Sequence, residues 1–187
     1  MAIIAPAKVY AKPVSFDSPP RPIFCYGTLM SAAVYCKVVG TASAPLSKPA
    51  TLTGYRRRQV RGATYPAITP ATADDKVEGL VVHVETHDQV RLLDLFESDD
   101  YERQTVRVQL AGEMVEVDVY VWASGDNLLS KEEWDFEDFL QNRLQDWLRD
   151  KEVFGDQPED DQQQHPHGHH FVAAARELDR LRQANSA

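Results

Sequence analysis

Cysteine is scarce in this sequence, which contains only Cys25 and Cys36 among its 187 residues. Disulfide-rich proteins and structural zinc sites need several cysteines at short, regular spacings, and these two have no such spacing. We therefore predict a protein of a reducing compartment. We interpret Cys25, which lies in a short apolar strand, as a core residue.

Basic residues are also few relative to acidic ones. The sequence has 20 Lys and Arg residues against 29 Asp and Glu residues, which gives a formal net charge of -9. Binding to a phosphate backbone or to an anionic membrane depends on clustered lysines and arginines. We therefore expect neither nucleic acid nor a membrane surface as a partner.

Long apolar runs are absent as well. No segment approaches the ~18 consecutive apolar residues that a membrane-spanning helix needs. Near the N-terminus, the apolar residues 2–5 are stopped by Pro6, which leaves them too short for the core of a signal peptide. We expect a soluble, cytoplasmic protein.

The distribution of apolar residues predicts one folded domain with extended or polar flanks. An apolar content of 43% is enough for one core without disulfides. Repeated prolines predict an extended arm over residues 1–20, before a domain over residues 21–154. The polar, histidine-rich stretch 155–170 predicts a disordered linker, and apolar residues at helical spacing predict an amphipathic helix over residues 171–187.

Within the domain, the sequence pattern predicts roughly six strands and two or three helices. Alternating valines on both sides of Ala111–Glu113 predict a β-hairpin, and the segment Asp88–Glu97 has helical spacing. Ser130 and Glu133 have the spacing of a capping box, which predicts a helix over residues 131–149. Because strands and helices do not alternate regularly, we predict an α+β fold with a mixed, mainly antiparallel sheet that is closed or half closed into a barrel.

The end of the helix predicted over Asp88–Glu97 places a carboxylate among apolar positions. Glu97 follows Val90 by seven residues and Leu93 by four, so it shares their helix face. A carboxylate that loses its hydration has a raised pKa and can exchange protons near neutral pH. The pattern also fits a helix that has already ended, in which Glu97 caps the helix or pairs with Arg103.

A second candidate site is the segment Tyr26–Leu29, YGTL, where an apolar strand runs into a helix. A glycine at such a junction permits a tight turn, and the exposed N–H groups can bind a carboxylate or an oxyanion. Strand, glycine and helix also form an ordinary connection, so this segment alone does not define a site.

Taken together, these segments resemble a known family. The order of YGTL, YPAI at Tyr65–Ile68 and LDLFESDDYER at Leu93–Arg103 resembles the γ-glutamylcyclotransferase-like family. The likeness is strongest to the branch of plant avirulence-induced proteins and γ-glutamylamine cyclotransferases, and it covers about residues 22–125.

The resemblance implies a γ-glutamylcyclotransferase-like mixed β-barrel with flanking helices and a pocket at one end. It implies an enzyme that converts a small γ-glutamyl substrate into 5-oxoproline and a free amine or amino acid. The substrate's own amino group would be the nucleophile, so no cofactor and no metal are required. The implied site residues are Glu97 as the acid/base, and Tyr26, Gly27, Thr28, Leu29 and Tyr101 as substrate-binding residues.

Several further residues have two interpretations. Tyr101 either lines the pocket or packs at the start of a strand, and Arg103 either orients Glu97 or faces solvent. We expect Tyr65 and Pro66 to shape the pocket wall. Four arginines either attract an anionic substrate or form a solvated strand face: Arg56, Arg57, Arg58 and Arg61.

Metal binding and a cysteine nucleophile are weaker hypotheses. Cys25 would need a base beside it, for which His83 is the nearest candidate in the sequence. Four histidines lie in a segment broken by proline and glycine, where nothing fixes ligand geometry, so we expect only adventitious nickel or zinc binding: His165, His167, His169 and His170.

Two other functions compete with the cyclotransferase interpretation. The same scaffold can serve another acyl or proton-transfer step, such as removal of a γ-glutamyl protecting group in a biosynthetic pathway. A non-catalytic metabolite-binding or regulatory protein is the other alternative, but such a protein has no need of a buried carboxylate, which is costly to keep. The leaving amine and the oligomeric state are left open by the sequence.

Overall fold

The computed structural model describes residues 18–149 and Arg180. Its strands are β1 (Ile23–Cys25), β2 (Ser47–Thr53), β3 (Tyr55–Gln59), β4 (Pro66–Pro70), β5 (Lys76–Val82), β6 (Tyr101–Leu110) and β7 (Glu113–Trp122). Its helices are α1 (Ala32–Val39), α2 (His87–Glu97), α3 (Phe136–Asn142) and α4 (Leu144–Arg149), and single 3-10 turns lie at Thr28–Met30 and Asp126–Leu128.

Five strands form a closed barrel in the order β1, β5, β2, β6, β7, and β3 pairs with β4 in a separate two-stranded sheet. The barrel is antiparallel except where β1 lies parallel to β7 through the pair Ile23 and Asp118. Between β2 and β6, closure depends on the pair Thr51 and Gln109. The predicted α+β class and mixed barrel are confirmed.

Apolar side chains fill two layers, one inside the barrel and one between the barrel and the helices. Strand β1 serves both layers, because alternate residues of a strand point to opposite faces. Phe24 belongs to the barrel interior, whereas Ile23 and Cys25 pack with residues of α1 and α2. The hairpin predicted around Ala111 is present as β6 and β7, and its valines 117, 119 and 121 fill the interior.

The predicted helix over residues 131–149 is wrong in its start and in its continuity. Helix α3 begins only at Phe136, and its N-cap is Asp135, whose carboxylate accepts a hydrogen bond from the Asp138 N–H at 2.9 Å. The helical segment is then interrupted at Arg143, which separates α3 from α4.

Hydrogen bonds to β3 explain why the residues before Phe136 are not helical. The Ser130 N–H donates to the Gln59 carbonyl at 2.8 Å, and the Gln59 N–H donates to the Glu132 carbonyl at 3.1 Å. The Ser130 hydroxyl accepts from the Glu132 N–H rather than from Glu133. Tertiary pairing therefore replaces the local capping box. Similarly, Gly54 with φ 82° separates β2 from β3 and raises the strand count of the described region to seven.

The flanking segments predicted from the sequence lie almost wholly outside the described residues. Apart from residues 18–20 and Arg180, this applies to the arm over 1–20, the linker over 155–170 and the helix over 171–187. These boundaries stay predictions. None of the described helices is both long and apolar enough to cross a lipid bilayer. The cytoplasmic location stays a prediction.

The close approach of β1 and β5 gives a test of the barrel. A Cβ atom added at Gly79 would lie 2.4 Å from the Cys25 carbonyl oxygen and 2.7 Å from the Phe24 ring. We expect Gly79→Ala to lower the free energy of unfolding by about 3 kcal/mol, because the β1 backbone must move. Urea unfolding followed by tryptophan fluorescence measures this loss.

The matched control is Gly54→Ala, which adds a Cβ in open space at a positive φ. Its expected cost is about 1–2 kcal/mol, from backbone conformation alone. Equal losses in the two variants would contradict the close packing of β5 on β1.

Candidate active site

The six residues that the family resemblance implied for the site all line one pocket. The pocket lies where β1 and β7 end and β6 begins, and with its open mouth it has a volume of about 600 Å³. The structure thus brings together Tyr26, Gly27, Thr28, Leu29, Glu97 and Tyr101. Other lining residues include Tyr65, Pro66, Phe96, Ser98, Asp100, Tyr120 and Trp147.

The loop after β1 presents three backbone N–H groups without an acceptor. The single 3-10 turn at Thr28–Met30 uses the N–H groups of Met30 and Ser31, which donate to the carbonyls of Gly27 and Thr28 at 2.9 and 3.0 Å. Among the described residues, the N–H groups of Gly27, Thr28 and Leu29 donate no hydrogen bond. Consecutive N–H groups of this kind can bind a carboxylate or an oxyanion.

Gly27 and Pro66 hold this loop against the opposite wall of the pocket. A Cβ atom at Gly27 would lie 2.8 and 3.0 Å from the Pro66 ring, so a larger residue would push the loop away. The Tyr101 hydroxyl donates to the Pro66 carbonyl at 2.9 Å, and the Tyr101 ring packs edge-on against Trp122 at 5.1 Å between centroids. Tyr101 therefore lines the pocket and packs at the strand start at the same time.

The Tyr26 side chain holds the loop in place with its hydroxyl. The hydroxyl donates to the Tyr120 carbonyl at 2.7 Å and accepts from the backbone N–H of Ile68. The carbonyl of Tyr26 accepts from Arg57 at 3.0 Å. Because these groups are engaged, polar contacts from the loop to a substrate are left to Gly27, Thr28 and Leu29.

Glu97 is the last residue of α2, and its carboxyl group faces the pocket. Among the described residues, no side chain forms a hydrogen bond or an ion pair with it. Burial, and secondly the charge of Asp94, raises the pKa of Glu97 from 4.5 to about 8. A carboxyl group with this pKa can both accept and donate a proton near neutral pH.

The alternative interpretation of Glu97 as a cap or a partner of Arg103 does not match the structure. Ser98 is the C-cap of α2, and Arg103 binds two other carboxylates, Asp94 at 2.7 Å and Asp118 at 2.8 Å. Arg103 is therefore neither a solvated strand residue nor a direct partner of Glu97.

The chain turns from α2 into β6 through a strained residue. Ser98 has φ 64° and ψ -172°, a region that glycine favours, and such a conformation costs a side-chain-bearing residue of order 1–3 kcal/mol. Its N–H donates to the Asp94 carbonyl at 3.1 Å, and its hydroxyl accepts from the Asp100 N–H at 3.2 Å. These bonds stabilise the turn directly beside Glu97.

The four arginines of the sequence hypothesis are bound to protein groups and do not line the pocket. Three of them contact Asp75, Asp126 and the Leu129 carbonyl, and Arg57 lies over the Trp134 ring as well as on the Tyr26 carbonyl. Among the described residues, no Lys, Arg or His side chain lines the pocket. Acidic and aromatic side chains dominate its walls.

Cys25 and the histidines do not form a catalytic pair or a metal site in the described part of the chain. Burial raises the pKa of the Cys25 thiol, which disfavours the thiolate, and His83 is exposed. No group of three or more His, Cys, Asp or Glu side chains within residues 18–149 is arranged to hold a metal ion. The four histidines of residues 165–170 lie outside the described residues.

Tyr120 and Trp147 are among the lining residues that the sequence analysis missed. In β7, Tyr120 alternates with Val119 and Val121, which places it on the face opposite the barrel interior. Alternation could have predicted that face but not the pocket behind it. Trp147 comes from α4, whose start and packing against Phe96 depend on the break at Arg143.

The proton on Glu97 has a consequence for stability. Folded Glu97 keeps its proton up to about pH 8, whereas the group loses it near pH 4.5 in the unfolded chain. Between these pH values the folded state binds more protons, so rising pH lowers the free energy of unfolding.

We therefore expect Glu97→Gln to gain stability relative to the wild type by roughly 2–4 kcal/mol between pH 5 and pH 9. Urea unfolding at a series of pH values measures the difference. The control is Glu102→Gln on the exposed face of β6, which should follow the wild-type pH dependence. A pH-independent difference between wild type and Glu97→Gln would contradict the raised pKa.

Comparison with known proteins identifies the family of this chain. The sequence profile of the family described as "Gamma-glutamyl cyclotransferase, AIG2-like" matches residues 23–136, which include all six site residues. AIG2-like protein D of Arabidopsis thaliana is 35% identical over 138 residues, covering 72% of this chain and 89% of that protein. AIG2-like protein C of the same plant is 34% identical over 128 residues, covering 67% and 73%.

Solved structures show the same relationship at the level of the fold. The solution structure of one Arabidopsis thaliana protein has a TM-score of 0.55 and 30% identity, and covers 73% of this chain and 82% of that one. A second solution structure from this plant has a TM-score of 0.53 and 28% identity, and covers 69% and 86%. On the profile match and these relatives, the chain belongs to the γ-glutamyl cyclotransferase, AIG2-like family.

Proposed function

We propose that this protein releases 5-oxoproline and a free amine from a γ-glutamyl substrate, with Glu97 as its single acid/base. Family membership supports a cyclotransferase enzyme in general. The observation that carries the specific proposal is the Glu97 carboxyl group, which has no partner among the described residues and shares a pocket with three unsatisfied N–H groups.

The reaction needs few protein groups because the substrate carries its own nucleophile. The α-amino nitrogen of the glutamyl part attacks the γ-carbonyl carbon, a carbon–nitrogen bond forms, and a five-membered ring closes. The amide bond to the leaving amine then breaks. Because nucleophile and electrophile belong to one molecule, proximity contributes much of the acceleration. The protein must fix the conformation and move protons.

Glu97 would move the protons. As a carboxylate, it takes one proton from the α-ammonium group and passes it to solvent, which exposes the nitrogen lone pair for attack. After attack, it takes the second proton from the ring nitrogen and, as a carboxylic acid, donates that proton to the leaving nitrogen as the amide bond breaks. With a pKa of about 8, Glu97 populates both forms near neutral pH, and such a group typically contributes about 10²–10⁴ in rate.

The loop after β1 would fix the anionic parts of the substrate. The N–H groups of Gly27, Thr28 and Leu29 can donate to the α-carboxylate or to the oxyanion that develops on the γ-carbonyl oxygen. Thr28 adds a hydroxyl that forms no hydrogen bond with a described residue. Pro66 and Tyr101 would form the facing wall and exclude water.

The character of the pocket walls bears on the leaving group. No basic side chain of the described region lines the pocket, and Asp100 contributes a second carboxylate. A leaving group with its own carboxylate would have no cation to pair with and would approach an acidic wall. The pocket thus favours γ-glutamyl amines, in particular those with a positive charge on the amine, over γ-glutamyl amino acids.

We expect Glu97→Gln to lower kcat for 5-oxoproline release by at least about 10²-fold, because the amide cannot exchange protons. Mass spectrometry of the product, with γ-glutamyl-ε-lysine as the first substrate, measures the loss. Glu102→Gln, the matched change on the exposed face of β6, should retain wild-type activity. Equal activity of wild type and Glu97→Gln would contradict the acid/base role.

A substrate panel tests the leaving group. We expect kcat/KM for γ-glutamyl amines to exceed that for γ-glutamyl amino acids and glutathione by about tenfold or more, which corresponds to about 1.4 kcal/mol. Asp100→Asn should reduce the preference for cationic amines through KM. If folded wild type releases 5-oxoproline from none of these compounds, a different acyl-transfer step or a binding role would replace the proposal.

A further inference from the structure

A cluster of charged side chains lies next to the helix turn that ends at Glu97, and its central carboxylate does not line the pocket. Its centre is Asp94, which accepts hydrogen bonds from the Arg103 Nε at 2.7 Å and from the Arg103 Nη2 at 3.3 Å. The Tyr120 hydroxyl donates to the same carboxylate at 2.8 Å. Three protein donors thus fix the orientation of Asp94, although Asp94 does not line the pocket.

Asp94 lies one helical turn before Glu97. Residues three apart in a helix share a face, so the two carboxyl groups are neighbours. The same turn is closed by the Ser98 N–H, which donates to the Asp94 carbonyl at 3.1 Å. The backbone of Asp94 therefore belongs to the same closed turn as Glu97 and the strained residue that follows it.

Arg103 is itself anchored on the opposite side. Its Nη1 donates to Asp118 at 2.8 Å, and Asp118 also accepts from Arg21 and from the Thr105 hydroxyl. Asp118 is buried in β7, so this anchor is part of the barrel. The Arg103 guanidinium is bound to two carboxylates in a fixed geometry, so it links the end of α2 to the barrel.

We propose that Asp94, oriented by Arg103 and Tyr120, is a positioning residue that places Glu97 and controls when it carries its proton. The negative charge of Asp94 opposes ionisation of Glu97, and the positive charge of Arg103 limits this effect. The pair acts through Glu97 and does not contact the substrate. This inference rests on the role of Glu97 in the proposed function.

The other groups that face Glu97 differ from this pair in one respect. Five further titratable residues near Glu97 carry no charge at physiological pH. Burial, and secondly neighbouring negative charge, raises the pKa of each above an ordinary value that is already basic: Cys25, Tyr26, Tyr65, Tyr101 and Tyr120. Asp100 lines the pocket and is bonded to the Ser124 hydroxyl. Asp94 and Arg103 therefore form a charge pair near Glu97 whose own side chains do not line the pocket.

The test measures the titration midpoint of Glu97 in variants that remove the charge of Asp94, of Arg103, or of both. Protein labelled with ¹³C at the glutamate carboxyl carbon is titrated by NMR without substrate, and the Glu97 signal is assigned by its absence in Glu97→Gln. We expect Asp94→Asn to lower the titration midpoint by ~1 pH unit, and Arg103→Gln to raise it by a similar amount. The double variant should return close to the wild-type midpoint.

Asp118→Asn is the matched control, because it removes a carboxylate from the far side of the same arginine. It should move the midpoint by less than half as much as Asp94→Asn. Opposite shifts in the two single variants support the inference, since general loosening of the helix end would move both midpoints towards that of an exposed glutamate. Shifts of the same sign, or no shift in folded protein, would overturn it.

Activity separates this inference from the proposed function. The acidic limb of kcat/KM against pH should follow the NMR midpoint in each variant. Wild type that forms no 5-oxoproline would contradict the proposed function and leave the titration result intact. Product formation together with unchanged midpoints would contradict only the role of Asp94. If Asp94→Asn does not fold, Arg103→Gln tests the same balance with the opposite sign.

Discussion

The arrangement of the pocket depends on one electrostatic constraint, a carboxyl group held at the end of α2 with no cationic partner among the residues that the structure describes. Burial and the charge of Asp94 favour the protonated form of this group, so the pKa of Glu97 is raised to about 8. The surrounding residues do not relieve this constraint. Instead, they hold the carboxyl group beside a loop whose N–H groups of Gly27, Thr28 and Leu29 donate to no described residue. Packing in the barrel offsets the free-energy cost of both features.

Two strands and the loop after β1 supply the contacts that surround Glu97. Strand β6 supplies Tyr101 and Arg103, β7 supplies Tyr120 through both its carbonyl and its hydroxyl, and the loop after β1 supplies Tyr26. Apart from the contact between Arg103 and Asp94, which lie in consecutive elements, these contacts join segments distant in the sequence. Since tightly packed interiors move as units, the pocket geometry is a property of the closed barrel rather than of any single motif.

The sequence predicted the site better than its surroundings. The periodicity that placed Glu97 on the apolar face of α2, and the glycine after β1, are local features that the fold preserves. The segment before α3 could not be predicted, because the pairing of Ser130 and Glu132 with Gln59 overrides the local capping signal. The partners of Arg103 could not be predicted for a related reason: Asp94 and Asp118 lie on a helix and on another strand, and alternation along β6 says nothing about either.

The unsatisfied groups also distinguish an enzyme from a binding protein. A protein that only retained an anionic metabolite would gain most from a buried lysine or arginine, yet the arginines near the pocket are bound to backbone carbonyls and carboxylates. A lone carboxyl group repels an anion when ionised and offers one weak donor when protonated. In the proposed reaction, its value lies in passing between the two states. Burial and the negative charge of Asp94, one helical turn away, both favour the protonated form. The positive charge of Arg103 in β6, which is bound to Asp94, limits the effect of Asp94 on the proposed acid/base.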